Sequence, residues 1–435
     1  MERARVTIES LAHGGDGVAH LPDGRAVFVS MSCPGDEVTL EVTESHERWA
    51  RGRLVSLDTP GPDRVTPPCP YFGACGGCQW QHVAYPRQLH EKRDTLVQSL
   101  RRIARLEDPL VGPVVPSPAE YGYRNKIELS VSGEGRSLQL GFARAGSTDL
   151  VPVDTCLLLP RGATGLPGSL SGALRFLGSR GVQDLVRATL RISTSGERSV
   201  DIWTTAGPFP RALAAKVIAE ATGARTITRV IVRGPGAKRD VTRVEVLAGP
   251  GAWAESLGDD RYLVSAPSFF QVNTAAATAL RQTALEMLDC DGSMRVADLY
   301  AGVGTFTLPM ARAAGETIAV EGSKHALLDL RRNLDRARLD ADVAPGDAAH
   351  VLEGLGHLDA ALIDPPRSGL ADAAIRALVG ARIARLVYVS CDPATLARDV
   401  KRLAEEAGYV PRRFVPVDLF PQTYHLETAT LLESS

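Results

Sequence analysis

Cys391 lies in Val389-Ser-Cys-Asp-Pro393, directly after the apolar, β-branched run Arg385-Leu-Val-Tyr-Val-Ser390. That run reads as a buried strand ending at a Cys-Asp-Pro turn, so it delivers a thiol to the strand's carboxyl end. Open α/β sheets bind ligands at that edge. An unperturbed thiol is only about 3% thiolate at pH 7, so a nucleophilic role requires a nearby cation or strong donors. A late acid, Glu427, follows in His425-Leu-Glu-Thr428. Upstream, Asp298-Leu-Tyr-Ala-Gly-Val-Gly-Thr-Phe306 is a glycine-rich strand-to-helix turn. A cofactor loop, a thiol and a late acid together point to covalent chemistry on a group that the cofactor supplies.

The glycine loop narrows the cofactor. Gly302 and Gly304 allow a tight turn, but Thr307 occupies the place of the third glycine of the dinucleotide fingerprint. Glu321, after the next apolar run, stands where an acid can hold ribose hydroxyls. A ribose acid without the pyrophosphate fingerprint suits S-adenosylmethionine better than NAD. Asp364-Pro-Pro-Arg367 closes another strand-like run, Asp359-Ala-Ala-Leu-Ile-Asp364. Proline cannot continue a central strand, so Asp364 is expected at the strand end, facing the cleft. Enzymes that methylate exocyclic amines have an aromatic residue where this chain has Arg367, which argues against amine chemistry.

Three more cysteines form a cluster, Cys69-x5-Cys75-x2-Cys78, interleaved with Gly73, Gly76 and Gly77. The total of seven cysteines is odd, which argues for metal or catalytic roles over a disulfide framework. Cys156 is the best-placed fourth ligand. Four thiolates suit either zinc or a [4Fe–4S] cluster, and the spacing favours iron–sulfur, because zinc sites more often pair two short spacings. Cys33 and Cys290 have no partners and read as structural.

The elements that must position these groups follow from the patterning. Residues 1–58 alternate in short strand-like runs separated by Gly14-Gly-Asp-Gly17, Asp23-Gly24 and Pro34-Gly-Asp36, which suggests a small barrel. Thr59-Pro-Gly-Pro-Asp63 marks a linker. Residues 59–258 form a mixed section with a helical stretch near Arg87 to Ile103 and strand-like runs such as Lys126-Ile-Glu-Leu-Ser-Val131. Tyr121 to Lys126 mixes aromatics and cations, which is compatible with RNA contacts, although a solvated strand edge fits as well. Residues 259–435 alternate helix and strand, the pattern of a doubly wound, mostly parallel sheet. In Phe269-Phe-Gln-Val-Asn273 the two aromatics read as core, and the Gln271 amide has no structural purpose evident from sequence.

Of 435 residues, 44% are hydrophobic and 23% charged, as in soluble globular proteins. No apolar run reaches the roughly 18 residues that a membrane span needs, and no secretory signal is evident, so the expected location is the cytoplasm. The net charge of -2 does not by itself announce a nucleic-acid partner. Only six of the 49 cationic residues are Lys, and Arg is the better phosphate fork, although a genome-wide bias would produce the same ratio.

Taken in order, Phe-Phe-Gln-Val-Asn, Asp-Leu-Tyr-x-Gly-x-Gly, Val-Glu-Gly, Asp-Pro-Pro-Arg, Ser-Cys-x-Pro and His-x-Glu-Thr resemble the bacterial RNA uridine C5-methyltransferases. The likeness runs end to end and is strongest to the ribosomal-RNA branch, which has an N-terminal TRAM domain and an iron–sulfur cluster. It implies that Gln271, Tyr300, Glu321 and Asp364 bind S-adenosylmethionine. It also implies that Cys391 is the nucleophile and Glu427 the general base. Cys69, Cys75, Cys78 and Cys156 would hold a [4Fe–4S] cluster, and an OB-like barrel would grip RNA. Ribosomal RNA is the favoured partner, transfer RNA an alternative, and a monomer is expected. The family usually has Asn after the nucleophile, whereas this chain has Asp392, a negative charge beside the thiol. An RNA cytosine methyltransferase is disfavoured, since no cysteine lies between Cys290 and Cys391. A non-catalytic RNA-binding protein is disfavoured by the intact Cys391 and Glu427.

Overall fold

The computed structural model describes residues 2–234 and 240–434. Three sheets carry most of the chain. The first has six strands in the order Arg3–Thr7, Glu37–Ser45, Trp49–Thr59, Ala26–Val29, Gly17–His20 and Ser10–Leu11. Its alternating residues Val6, Val27, Val29, Val38, Leu40 and Ala50 close a small core.

The second sheet has seven strands, from Asp240–Ala248 at one edge to Leu150–Pro152 at the other. One of its pairs, Arg198–Thr204 with Thr226–Arg233, is parallel and is bridged by the helix Arg211–Thr222. That helix and Leu166–Gly178 cover the apolar face formed by Leu129, Leu140, Leu190 and Ile202.

The third sheet orders its strands Asp342–Pro345, Glu316–Glu321, Arg295–Leu299, Ala360–Ile363, Arg385–Ser390, Glu427–Ser434 and Tyr409–Val417. The first five are parallel. The last two run antiparallel to their neighbours. The chain enters at Arg295–Leu299 and winds outward both ways, so a switch point opens at that strand's carboxyl end. The strands there are buried on both faces, which explains continuous apolar runs such as Ala360-Ala-Leu-Ile363. The doubly wound sheet expected from the alternating pattern is what forms.

The helix Tyr85–Arg102 lies inside the 59–258 section by sequence, yet it packs on the third sheet. Pro86 starts it, where a missing N–H costs nothing. Leu96 and Leu100, one turn apart, join Val111, Phe414, Leu396 and Val400 in the third sheet's core. Val111 and Val115 bridge to Phe414 and Val417 at the sheet edge. One turn earlier the same face is polar. Lys92 Nζ donates to Asp418 Oδ1 at 2.7 Å, both side chains fully buried, and to the Phe420 carbonyl at 3.0 Å. Gln88 exchanges hydrogen bonds with Gln422. Glu91 accepts from the backbone N–H of Leu11 in the first sheet at 2.7 Å. This one helix therefore ties the N-terminal sheet to the loop that precedes Glu427.

A buried ion pair is costly to half-remove, because the remaining charge has no solvent. Asp418→Asn should therefore lower stability by about 3–5 kcal/mol, measured as a fall in the urea midpoint. Replacing both partners with apolar residues should cost less than removing one. A single Asp418→Asn variant as stable as the parent would contradict this.

Candidate active site

The carboxyl edge of the third sheet gathers the residues that the sequence singled out there. Ser390 is paired with Thr428 in antiparallel register. Cys391 and Glu427, one residue further, therefore stand opposite each other where the two strands diverge. Ile363 pairs with Tyr388, so Asp364 leaves the neighbouring strand at the same edge. Asp298 is the penultimate residue of the adjacent strand Arg295–Leu299 and is fully buried.

The electrostatics of this edge are those of crowded acids. Burial, then the neighbouring Asp364, raises Glu427 well above the usual carboxylate range. Burial and Asp298 push Asp364 up to about 7. Burial raises Asp298 to about 7, although the Thr307 hydroxyl donates to its Oδ2 at 2.5 Å. Its Oδ1 is buried with no hydrogen-bond partner. Among the described residues, none of these three acids is paired with a cationic side chain. Cys391 is pushed up to about 12, first by burial, then by Glu427 and Asp364, with Arg367 acting in the opposite sense.

The glycine loop forms a cradle beside these acids. Glu321 Oε2 accepts from Gly302 N at 2.8 Å and Oε1 from Ser323 N at 2.6 Å, which fixes the carboxylate at the strand end. Gly302 has φ +58° and open space where a Cβ would stand. Gly304 has φ +97° and would place a Cβ 2.7 Å from Leu308 and 2.8 Å from Leu330, so it serves packing. Tyr300 carries φ +70°, a conformation that non-glycine residues hold only under constraint. Its N–H and that of Ala301 both donate to the Val320 carbonyl.

Gln271 is buried in a segment locked on both sides. Asn125 donates to the Gln271 carbonyl at 2.8 Å and to Thr274 Oγ1 at 2.9 Å. Asn273 caps the following helix and donates to Ser117 and the Leu419 carbonyl. Two sequence readings change here. Only Phe270 is core, packed on Trp253 and Tyr262, whereas Phe269 is 64% exposed. Within Tyr121 to Lys126, Tyr123 and Asn125 are buried struts rather than RNA contacts or a solvated edge, and Tyr123 donates to the Pro421 carbonyl.

Cys69, Cys75, Cys78 and Cys156 line one cavity of about 310 Å³, so the structure brings the distant fourth cysteine to the other three. Arg124, Thr423 and His425 share its wall. Burial raises the Cys75, Cys78 and Cys156 thiols, Cys78 to about 12. Gly77 N donates to Cys75 Sγ at 3.4 Å, and backbone N–H groups of Leu158 and Leu159 meet Cys156. Among the described residues, no three His, Cys, Asp or Glu side chains are close enough to ligate one ion as they stand. Cys33 lies in a small apolar patch with Leu11, Trp80 and Val83.

Sequence reasoning missed His13 and Tyr424. His13 comes from the first sheet's loops and reaches Asp392 at 3.4 Å, with its ring edge-on to Tyr424 at 5.1 Å. Nothing in a single sequence connects position 13 to position 392.

Two family models match the chain: the TRAM domain over residues 2–55, and tRNA (uracil-5-)-methyltransferase over residues 355–435. A protein of Halalkalibacterium halodurans named as an uncharacterized RNA methyltransferase is 34% identical, over 98% of this chain and 96% of its own. One of Thermosynechococcus vestitus, named likewise, is also 34% identical, over 98% and 97%. Among solved structures, the Pyrococcus abyssi tRNA (uracil-54, C5)-methyltransferase in complex with S-adenosyl-L-homocysteine superposes with a TM-score of 0.75 at 26% identity. That match covers 99% of this chain and 100% of the other. Among the described residues, no helix is long and apolar enough to cross a membrane. With a TRAM domain in front and this sheet edge behind, the chain belongs to the RNA uracil-C5 methyltransferase family and is an S-adenosylmethionine-dependent enzyme of that class.

Proposed function

We propose that the chain methylates C5 of a uridine in RNA, with ribosomal RNA as the preferred substrate, through a covalent bond between Cys391 and C6 of the base. The observation that carries this reading is the strand register that sets Cys391 opposite Glu427. C5 of uracil is a poor nucleophile. Addition of the Cys391 thiolate at C6 makes C5 an enolate-type carbon that can accept a methyl group. Glu427 then takes the C5 proton, the C6–S bond breaks, and Cys391 is regenerated. The target base has to leave its stack to expose C6.

S-adenosylmethionine, when bound, supplies the methyl group on a positively charged sulfur. Gln271, Tyr300, Glu321 and Asp364 are the residues that would hold it. The open cradle at Gly302, the fixed Glu321 carboxylate, and the unpaired acids Asp298 and Asp364 fit a cationic nucleoside. In the free protein burial holds Asp298 and Asp364 well above the usual carboxylate range, to about 7. Positive charge in the crevice favours the ionised forms of these acids and, directly, of Glu427.

The four cysteines fit a [4Fe–4S] cluster better than a zinc ion. The sequence spacing carries that preference, because zinc sites more often pair two short spacings, and the four thiols line one cavity. The backbone N–H groups aimed at Cys75 and Cys156 also suit cluster sulfurs. The reading is structural: the cavity wall includes Thr423 and His425, so a cluster there would brace the loop that ends at Glu427. The cytoplasm supplies both RNA and S-adenosylmethionine. Ribosomal RNA is favoured because a TRAM domain and four such cysteines occur together. A transfer-RNA substrate is the second reading, favoured by the likeness to the Pyrococcus abyssi enzyme. Mapping 5-methyluridine separately in ribosomal and transfer RNA, from cells with and without the protein, decides between them.

Cys391→Ala should lower methyl transfer to uridine-containing RNA by a factor on the order of 10³ or more while S-adenosylmethionine still binds. Glu427→Gln should accumulate a protein–RNA species that survives a denaturing gel. Free turnover by either variant would remove that residue from the mechanism.

The acid shifts set a pH dependence. Asp298 and Asp364 are raised, so the stability that their protonation confers is present below the unfolded carboxylate value and lost as pH rises through about 7. The newly ionised site attracts a sulfonium. Calorimetry should show S-adenosylmethionine affinity rising about three- to tenfold from pH 6 to 8, with S-adenosylhomocysteine, whose sulfur is neutral, changing much less. Equal slopes for the two ligands would contradict the role of these acids.

Anaerobically purified protein should be brown and contain about four irons. Cys75→Ser should lower the thermal midpoint and RNA affinity together. Stoichiometric zinc without iron–sulfur absorption would reverse the assignment.

A further inference from the structure

Asp392 poses a problem that its local role does not solve. Its Oδ1 accepts from Ala394 N at 3.0 Å and Thr395 N at 2.9 Å, capping the helix Pro393–Ala407. Asn would cap as well as Asp. The cap therefore accounts for a side-chain oxygen and not for the negative charge. That charge adjoins a thiol that must ionise, and it opposes ionisation.

The second carboxylate oxygen faces an imidazole and a guanidinium from separate parts of the chain. His13 Nε2 stands 3.4 Å from Asp392 Oδ2, and Arg367 Nε 3.9 Å from it. Asp392 is only 12% exposed in its side chain, so these contacts are partly shielded from water. The loop that carries His13 is docked without the help of His13. Leu11 N donates to the buried Glu91, and Trp80 Nε1 donates to the Gly15 carbonyl at 3.1 Å. Leu11, Cys33, Trp80 and Val83 form an apolar patch beneath it, against which Tyr424 packs. The imidazole edge rests on Tyr424, and Tyr424 in turn lies 4.3 Å from the His425 ring. The N-terminal domain thus places one side chain at the reactive turn and holds it there from outside.

We propose that His13 is a positioning residue of the active site: carried in by the TRAM domain, it holds the Asp392 carboxylate together with Arg367 and so keeps that charge from suppressing the Cys391 thiolate. This rests on Cys391 being the nucleophile. The groups that face the thiol are Glu427, Asp364, Arg367 and Asp392. Those that face Asp392 are His13 and Arg367, with Tyr424 and His425 behind the imidazole. The inference makes the TRAM domain part of the reaction centre as well as a separate domain.

The test is a double-mutant cycle read on the full-length, RNA-free protein. Alkylation of Cys391 by iodoacetamide is followed by peptide mass spectrometry across pH 7–9.5, which reports thiolate without requiring methyl transfer. His13→Ala should slow alkylation about three- to fivefold, the size expected for loss of a partly exposed polar contact to a carboxylate. His13→Gln, which keeps a donor, should recover part of the loss. In the Asp392→Asn background, where there is no charge to hold, His13→Ala should change the rate by no more than about twofold. Equal slowing in both backgrounds would mean that His13 only docks the TRAM domain, and no slowing in the parent would mean that the contact is inert. Either result overturns the proposal. Undiminished methylation by Cys391→Ala would instead refute the nucleophile assignment while leaving the alkylation cycle readable, so the two failures are distinguishable.

Discussion

Three carboxylic acids, Asp298, Asp364 and Glu427, are buried within reach of one another at the end of a parallel sheet, and among the described residues no cationic side chain pairs with them. A protein interior does not tolerate such a group ionised without compensation. The free site therefore disfavours the ionised forms of its acids and of its thiol. This constraint shapes the surrounding structure. The acids have to be held close enough to interact, in a crevice that accepts a cation, by a scaffold that does not relax to separate them.

The scaffold works through strand register and through one helix. Register sets Cys391 against Glu427 and carries Asp364 to the same edge. The helix Tyr85–Arg102 uses Leu96 and Leu100 to join the sheet's core, and Gln88, Glu91 and Lys92 to reach the rest of the molecule. Lys92 and Asp418 are both fully buried, so their bond persists only while the helix and the 418–424 loop remain in register. That loop runs directly into His425 and Glu427. A polar stripe on an otherwise apolar helix face thereby positions Glu427.

The four-cysteine cavity shares this loop. Its wall includes Thr423 and His425, and burial lowers His425 to about 4, which keeps the imidazole neutral. Thr423 Oγ1 accepts from His425 N at 3.2 Å and donates to the Phe420 carbonyl at 2.8 Å. A group bound by the cysteines would press on the same turn that Lys92 anchors from the other side. Both arrangements limit the freedom of the segment that ends at Glu427, the proposed base.

Much of the site was legible in the sequence because strands and their terminators are local. Cys391, Asp364 and Asp298 each sit where an apolar run ends, and a run's end is visible without knowing its neighbours. Gly302 and Gly304 mark a tight turn, Asp298 and Glu321 made a cofactor loop the expected reading of it, and the alternation from residue 259 onward was enough to indicate the doubly wound sheet. What the sequence could not carry were contacts between side chains hundreds of residues apart. The packing of Tyr85–Arg102 on the third sheet, the Lys92–Asp418 pair and the approach of His13 to Asp392 depend on how domains dock, and docking is decided by surface complementarity rather than by periodicity. Tyr123 and Asn125 were ambiguous for the same reason: aromatic and amide side chains serve RNA or a buried hydrogen bond equally well until burial is known. The residue types in this chain determined which chemistry was available, and tertiary packing decided which charges would share one low-dielectric crevice.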